Sequence, residues 1–211
     1  MTYSIETIKE EIKNLSSKEF YLKYIHCSNN WYFENILNIP VENIVEFDKE
    51  FKKIISENFE LEPNSVEIVG SGKLGCSLTP FKDKIYKEFD IDRSDIDVAV
   101  ISPRLFDQYW VLLRKSYKPL YNGYYERIPQ AIYRGYINEK CLLHIDGCRK
   151  YWYKSAGDSK KVLHAKLYIQ HEVTYRIYRK WKDFEDYHIS SIEKIKRGKL
   201  KKQNTETRKK R

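Results

Sequence analysis

The chain has 211 residues, a formal net charge of +9, and hydrophobic and aromatic contents of 41% and 15%. This fits one domain, or one domain with an appendage, large enough to bury a core. Residues 196–211 hold nine basic residues against one acid, Glu206, so +8 of the charge sits there and the body stays near +1. No run of 18 apolar residues is long enough to cross a membrane, and Met1–Glu11 lacks the basic and apolar regions of a signal peptide. Cys27, Cys76, Cys141 and Cys148 show no C-x-x-C spacing, so free thiols in a reducing cytoplasm are expected.

Residues 3–37 read as helical. Ile5, Ile8, Ile12 and Leu15 recur at helical spacing, and Ser16 and Glu19 form a capping-box signature ahead of Phe20, Tyr21, Tyr24 and Ile25. Pro40 opens a further helix from Val41 to about Phe59, with Ile44, Val45, Phe47, Phe51, Ile54 and Ile55 as its apolar stripe. Glu62-Pro63-Asn64 breaks the chain, and Val66–Val69 reads as the first strand. A second strand follows Ser94 and ends in Val98-Ala99-Val100-Ile101. Ser102-Pro103 caps a helix with Leu105, Phe106, Trp110 and Leu113 on its apolar face. Residues 117–130 look irregular, 131–137 suit a short strand or helix, and Cys141–Asp146 reads as a strand ending at Gly147. His164 to Lys199 looks like one long amphipathic helix or two, striped by Leu167, Ile177, Trp181, Phe184 and Ile192.

The chemistry-bearing residues lie around the first two strands. Gly70-Ser71 follows Val66–Val69, which places a hydroxyl and a closely approachable backbone at a strand end. Asp95 and Asp97 are one residue apart on the next strand, and alternation puts them on one face. Two adjacent carboxylates entering a buried strand repel unless a cation intervenes, and hard oxygen ligands favour Mg²⁺ or Mn²⁺. The constellation Gly70-Ser71 … Ser94-Asp95-Ile96-Asp97-Val98 resembles the DNA polymerase β-like nucleotidyltransferase superfamily, over roughly residues 45–150. The gap from Ser71 to Asp95 is 24 residues, about twice that of compact members. The excess falls in the charged segment Leu78–Arg93, which reads as a surface loop or hairpin that selects substrate or is a neutral insertion.

The resemblance implies an α+β nucleotidyltransferase fold: a small mixed sheet flanked by helices, with N-terminal helices and a long C-terminal helix. The expected layout is a helical segment at 1–60, the core at 61–150, a helical segment at 151–199 and a disordered basic tail at 200–211. It also implies a triphosphate held at Gly70 and Ser71, and two Mg²⁺ or Mn²⁺ ions held over it by Asp95, Asp97 and a third acid from a later strand. Asp146 is the candidate for that acid, with a turn residue before Gly147 as the alternative. Lys73 is a phosphate-neutralising candidate or a surface lysine. The implied reaction moves an NMP group from an NTP to an acceptor hydroxyl on an RNA end, a protein or a small molecule, in a toxin–antitoxin or phage-defence setting. A partner protein is compatible with it. The basic stretch, with Lys196, Arg197, Lys199, Lys201 and Lys202, suits contact with RNA phosphates. The alternative is a catalytically degenerate module of the same fold that binds RNA or a partner protein.

Overall fold

The computed structural model describes residues 3–79 and 85–209, with side chains to residue 198. Helices α1 (Ile5–Asn14), α2 (Ser17–Phe20) and α3 (Trp31–Asn35) precede α4 (Ile44–Phe59), and six residues of π-helix, Tyr21–His26, extend α2. Ser16 makes the expected capping box with Glu19. Strand β1 (Val66–Val69) runs into the short α5 (Gly70–Leu74), and β2 (Ile96–Ile101) into α6 (Pro103–Lys115), capped by Ser102. Then come α7 (Asn122–Tyr125), α8 (Ile128–Tyr133), β3 (Tyr136–Asn138), α9 (Glu139–His144), α10 (Asp146–Leu167), β4 (Val173–Tyr178) and α11 (Trp181–Lys209).

The chain is therefore α+β with a four-stranded mixed sheet of order β1-β2-β4-β3. Strand β2 lies antiparallel to β1 and parallel to β4, and β3 closes the far edge antiparallel to β4. Side-chain alternation splits the core into two layers. Ile96, Val98 and Val100 share one face with Val173, Tyr175 and Ile177, under α4, α6 and α10. Val69, Ala99, Ile101 and Tyr178 pack on the other face against α1, α2 and α11.

Several sequence expectations change. Val45 is exposed rather than part of the α4 stripe. Residues 117–130 contain short helical pieces. Residues 131–137 divide between helix and strand. The supposed strand at 141–146 is the end of α9 and the start of α10. A short, mostly apolar run does not distinguish a buried helix from a strand, and here the Asn138 side chain accepts from Lys140 N and starts α9. The supposed long C-terminal helix is interrupted by β4. Tyr168 takes a left-handed conformation (φ 55°) that ends α10, and Val-Thr-Tyr-Arg-Ile-Tyr then alternates with the period of a strand. A strand inside the sheet thus comes from the segment 151–199, outside the range 61–150 expected to hold the core. Backbone helix continues to Lys209. The side chains that would test the phosphate-contacting roles of Lys199, Lys201 and Lys202 lie outside the described residues, as do residues 210 and 211 of the expected disordered tail.

The insert at 78–93 is clasped at its base. Ser77 N donates to Lys87 O and Tyr86 N to Ser77 O beside a Cys76–Glu88 bridge, and Phe89 N donates to Gly75 O at 2.8 Å. Residues 80–84 lie outside the described ones. Among the described residues no helix is long and apolar enough to cross a membrane.

Candidate active site

Strand β1 ends beside the start of β2, with Val69 opposite Asp97. The chain turns there through Gly70 in the left-handed region (φ 66°). A Cβ at Gly70 would lie 2.6 Å from Asp97 Oδ2, so a side chain there is strained in conformation and would have to displace the Asp97 carboxylate. The Gly-Ser turn and the Asp-x-Asp strand, 24 residues apart in sequence, are thus brought into contact.

Parallel pairing places Thr174 of β4 directly across from Asp97. Its hydroxyl lies 3.1 Å from Asp95 Oδ2 and 3.4 Å from Asp97 Oδ1. Two residues further along the same face comes Arg176, whose guanidinium stacks on the rings of Tyr136 (5.2 Å) and Tyr187 (4.7 Å). Burial pushes the Asp97 carboxyl above the usual carboxylate range, and the like charge of Asp95 adds to this. Arg176 and the Thr174 hydroxyl pull the other way.

A cavity of about 420 Å³ opens between this sheet face and α11. Gly70, Ser71 and Asp97 line one part of it, and Arg134, Arg176 and Lys194 give it positive charge. Arg176 Nε and His188 Nε2 are shut off from solvent there and have no hydrogen-bond partner among the described residues. Burial and the nearby Arg176 charge hold His188 down at about 3, so its ring is neutral at physiological pH. Asp95 and Thr174 face a second, more open hollow of about 590 Å³ that also takes in Asp92, Arg93 and Glu172.

The expected site residues separate into two groups. Gly70, Ser71, Asp95 and Asp97 come together. Asp146 does not join them: it begins α10, whose Cys148, Trp152 and Leu163 pack under the opposite face of the sheet. Its carboxylate accepts from Tyr121 Oη at 2.6 Å and pairs with Arg149 at 2.5 Å, and the Tyr121 hydrogen bond holds it below the usual carboxylate range. The assignment failed because the apolar run before it folds as a helix. Lys73 is neither a surface lysine nor a lining residue of the cavity. It is buried, 4% exposed, and faces the charges of Glu67 and Asp48. Lys196 donates to the Leu15 carbonyl at the end of α1, which directs its ammonium into the fold. Arg197 pairs with Glu193 at 3.4 Å on the surface of α11.

Thr174, Arg134, Tyr187, His188 and Lys194 were missed as site residues. The alternation at 173–178 was the available signal for Thr174, and it was read as part of a helix.

The metal expectation can be tested on the donor set. Two carboxylates and a hydroxyl, hard oxygens from the start of β2 and from β4, fit one Mg²⁺ or Mn²⁺ that would complete its shell with other oxygen ligands. Among the described residues no group of three or more His, Cys, Asp or Glu is placed to hold a metal. Compared with protein-family models, curated proteins and solved structures, the chain matches none.

Proposed function

We propose that the chain has a nucleotidyltransferase fold and moves an NMP group from an NTP to an acceptor hydroxyl. The observation that carries this reading is the contact of Gly70 with Asp97 at the mouth of a cationic, aromatic-lined cavity. A turn without a side chain beside a carboxylate pair leaves room for a phosphate chain next to that pair. Arg134, Arg176 and Lys194 supply the countercharge, and the unpartnered Arg176 Nε is a donor prepared for a ligand acceptor. Ser71 offers its hydroxyl to the phosphates. Asp95 and Asp97 would hold Mg²⁺ or Mn²⁺. When bound, the ion supplies neutralisation of phosphate charge and a lowered pKa for an attacking hydroxyl. The open hollow on the Asp95 side is where an acceptor, on RNA, protein or a small molecule, reaches the same carboxylates.

The second reading, a degenerate module that binds RNA or a partner, is favoured by Thr174 standing beside the carboxylate pair with no third acid among the described residues. One experiment separates the two. The chain is incubated with Mg²⁺ or Mn²⁺ and each α-labelled NTP, with total RNA and protein extract as acceptors, beside Asp95→Ala/Asp97→Ala. Label entering RNA or protein with the wild type alone supports the transferase. No transfer by a folded wild type with any NTP rejects it.

A further inference from the structure

Resting on the nucleotidyltransferase reading, we infer that the site takes a single divalent cation, takes it only together with nucleotide phosphates, and owes this to Thr174. The argument is one of charge and donors. Thr174 stands at 3.1 Å and 3.4 Å from the two carboxylates, and its hydroxyl hydrogen can serve only one of them at a time. It adds a neutral oxygen where a carboxylate would add a charge. Arg176 lies on the same face, two residues along β4, and its charge acts on Asp97. The empty centre therefore sets two carboxylates against the Arg176 guanidinium, with Arg134 and Lys194 adding positive charge to the same cavity.

A bare divalent ion gains little where the two carboxylates are already offset by fixed cations, and it must displace water to bind. Two bare ions would carry more positive charge than the described side chains can offset. A triphosphate changes this balance, because it brings several negative charges and its own oxygen ligands. Arg176, with Nε unpartnered, then has an anion to face as well as Asp97. Metal and nucleotide enter as a unit, and neither is held well without the other.

The test counts ions by equilibrium dialysis, with Mn²⁺ read by its paramagnetic resonance and nucleotide by absorbance. The probes are Mn²⁺ alone, and Mn²⁺ with each α,β-methylene NTP analogue. The wild type should retain no Mn²⁺ alone at 100 µM, and one Mn²⁺ per chain with an analogue. Thr174→Asp should bind Mn²⁺ without nucleotide at least tenfold more tightly than the wild type. Thr174→Asn, of similar size without the charge, should behave as the wild type. Mn²⁺ held by the wild type without nucleotide, or two ions per chain with it, overturns the inference. So does analogue retained equally well without Mn²⁺, and these outcomes leave nucleotide binding standing. Neither ion nor analogue retained under any condition removes the nucleotidyltransferase reading, and the inference with it. Should Thr174→Asp not fold, the wild-type ion count still decides.

Discussion

Replacing Gly70 with alanine tests the link between backbone and site most directly. At φ 66° a Cβ costs about 1–2 kcal/mol of backbone strain. The same Cβ would sit 2.6 Å from Asp97 Oδ2, so the carboxylate or the turn must move. A chain of this size loses roughly 2–4 °C in Tm per kcal/mol, so the strain alone lowers Tm by about 2–8 °C. The functional effect exceeds this. A ligand at 100 times its Kd stabilises a folded protein by about 2.7 kcal/mol, which in the wild type is a rise of roughly 5–11 °C. Thermal unfolding of Gly70→Ala with Mg²⁺ and NTP should lose that rise, because the displaced Asp97 no longer meets the phosphate chain. Gly72→Ala is the control: its Cβ would meet Ile68 Cγ2 at 3.4 Å, ordinary contact on the apolar side. A Gly70→Ala protein that responds to Mg²⁺ and NTP as the wild type does would refute the reasoning.

Four other perturbations have expected outcomes. Asp97→Asn should stabilise the metal-free protein at pH 7, because the folded carboxyl titrates above its unfolded value near 3.9 and its ionisation opposes folding; urea melts should show the advantage shrinking as pH falls through the raised pKa. His188 behaves oppositely. Its folded pKa of about 3 lies below the unfolded 6.5, so the stability its neutral ring contributes is present above pH 6.5 and is lost as pH falls toward 3; His188→Phe should lose less stability over that window. Glu139, buried, accepts from Trp152 Nε1 at 2.6 Å and from Tyr175 N at 2.8 Å, so Glu139→Ala orphans two donors and should cost about 2–5 kcal/mol in chemical denaturation. Lys196→Ala should cost about 0.5–1.5 kcal/mol by loss of the Leu15 carbonyl bond and leave RNA affinity unchanged; a marked fall in RNA binding would show the side chain working outward instead.

The elements with strong local signals were legible. Val66–Val69 was read to the residue, the Ser16–Glu19 capping box formed, and Ser102-Pro103 starts α6 as its residue types dictate. Alternation alone placed Asp95 and Asp97 together. The two failures share a physical cause. Cys141–Ile145 is apolar but for His144 and shows no clear period, so the neighbours decide its conformation, and helix α9 buries Cys141 and Leu142 in the core as effectively as a strand would. Val173–Tyr178 carries an arginine on its inner surface, which argues against a buried strand when read locally. Only the fold supplies what makes that arginine tolerable: two tyrosine rings, and the carboxylate of Asp97 on the neighbouring strand. Tyr136 and His188 come from elements 52 residues apart and had no common signal in sequence.

The sheet order has a consequence for how the molecule is made. Strand β4, the last of the four to be synthesised, lies between β2 and β3. Until it is in place, β2 has one open edge and β3 has no partner, so the early part of the chain waits with unsatisfied backbone groups. Every register that aligns Thr174 with Asp97 closes a loop of more than 70 residues, a slow and entropically costly step. Completion of the candidate site and completion of the fold are then the same late event, and a nascent chain that has not reached residue 178 exposes β-edges before it has any pocket to fill.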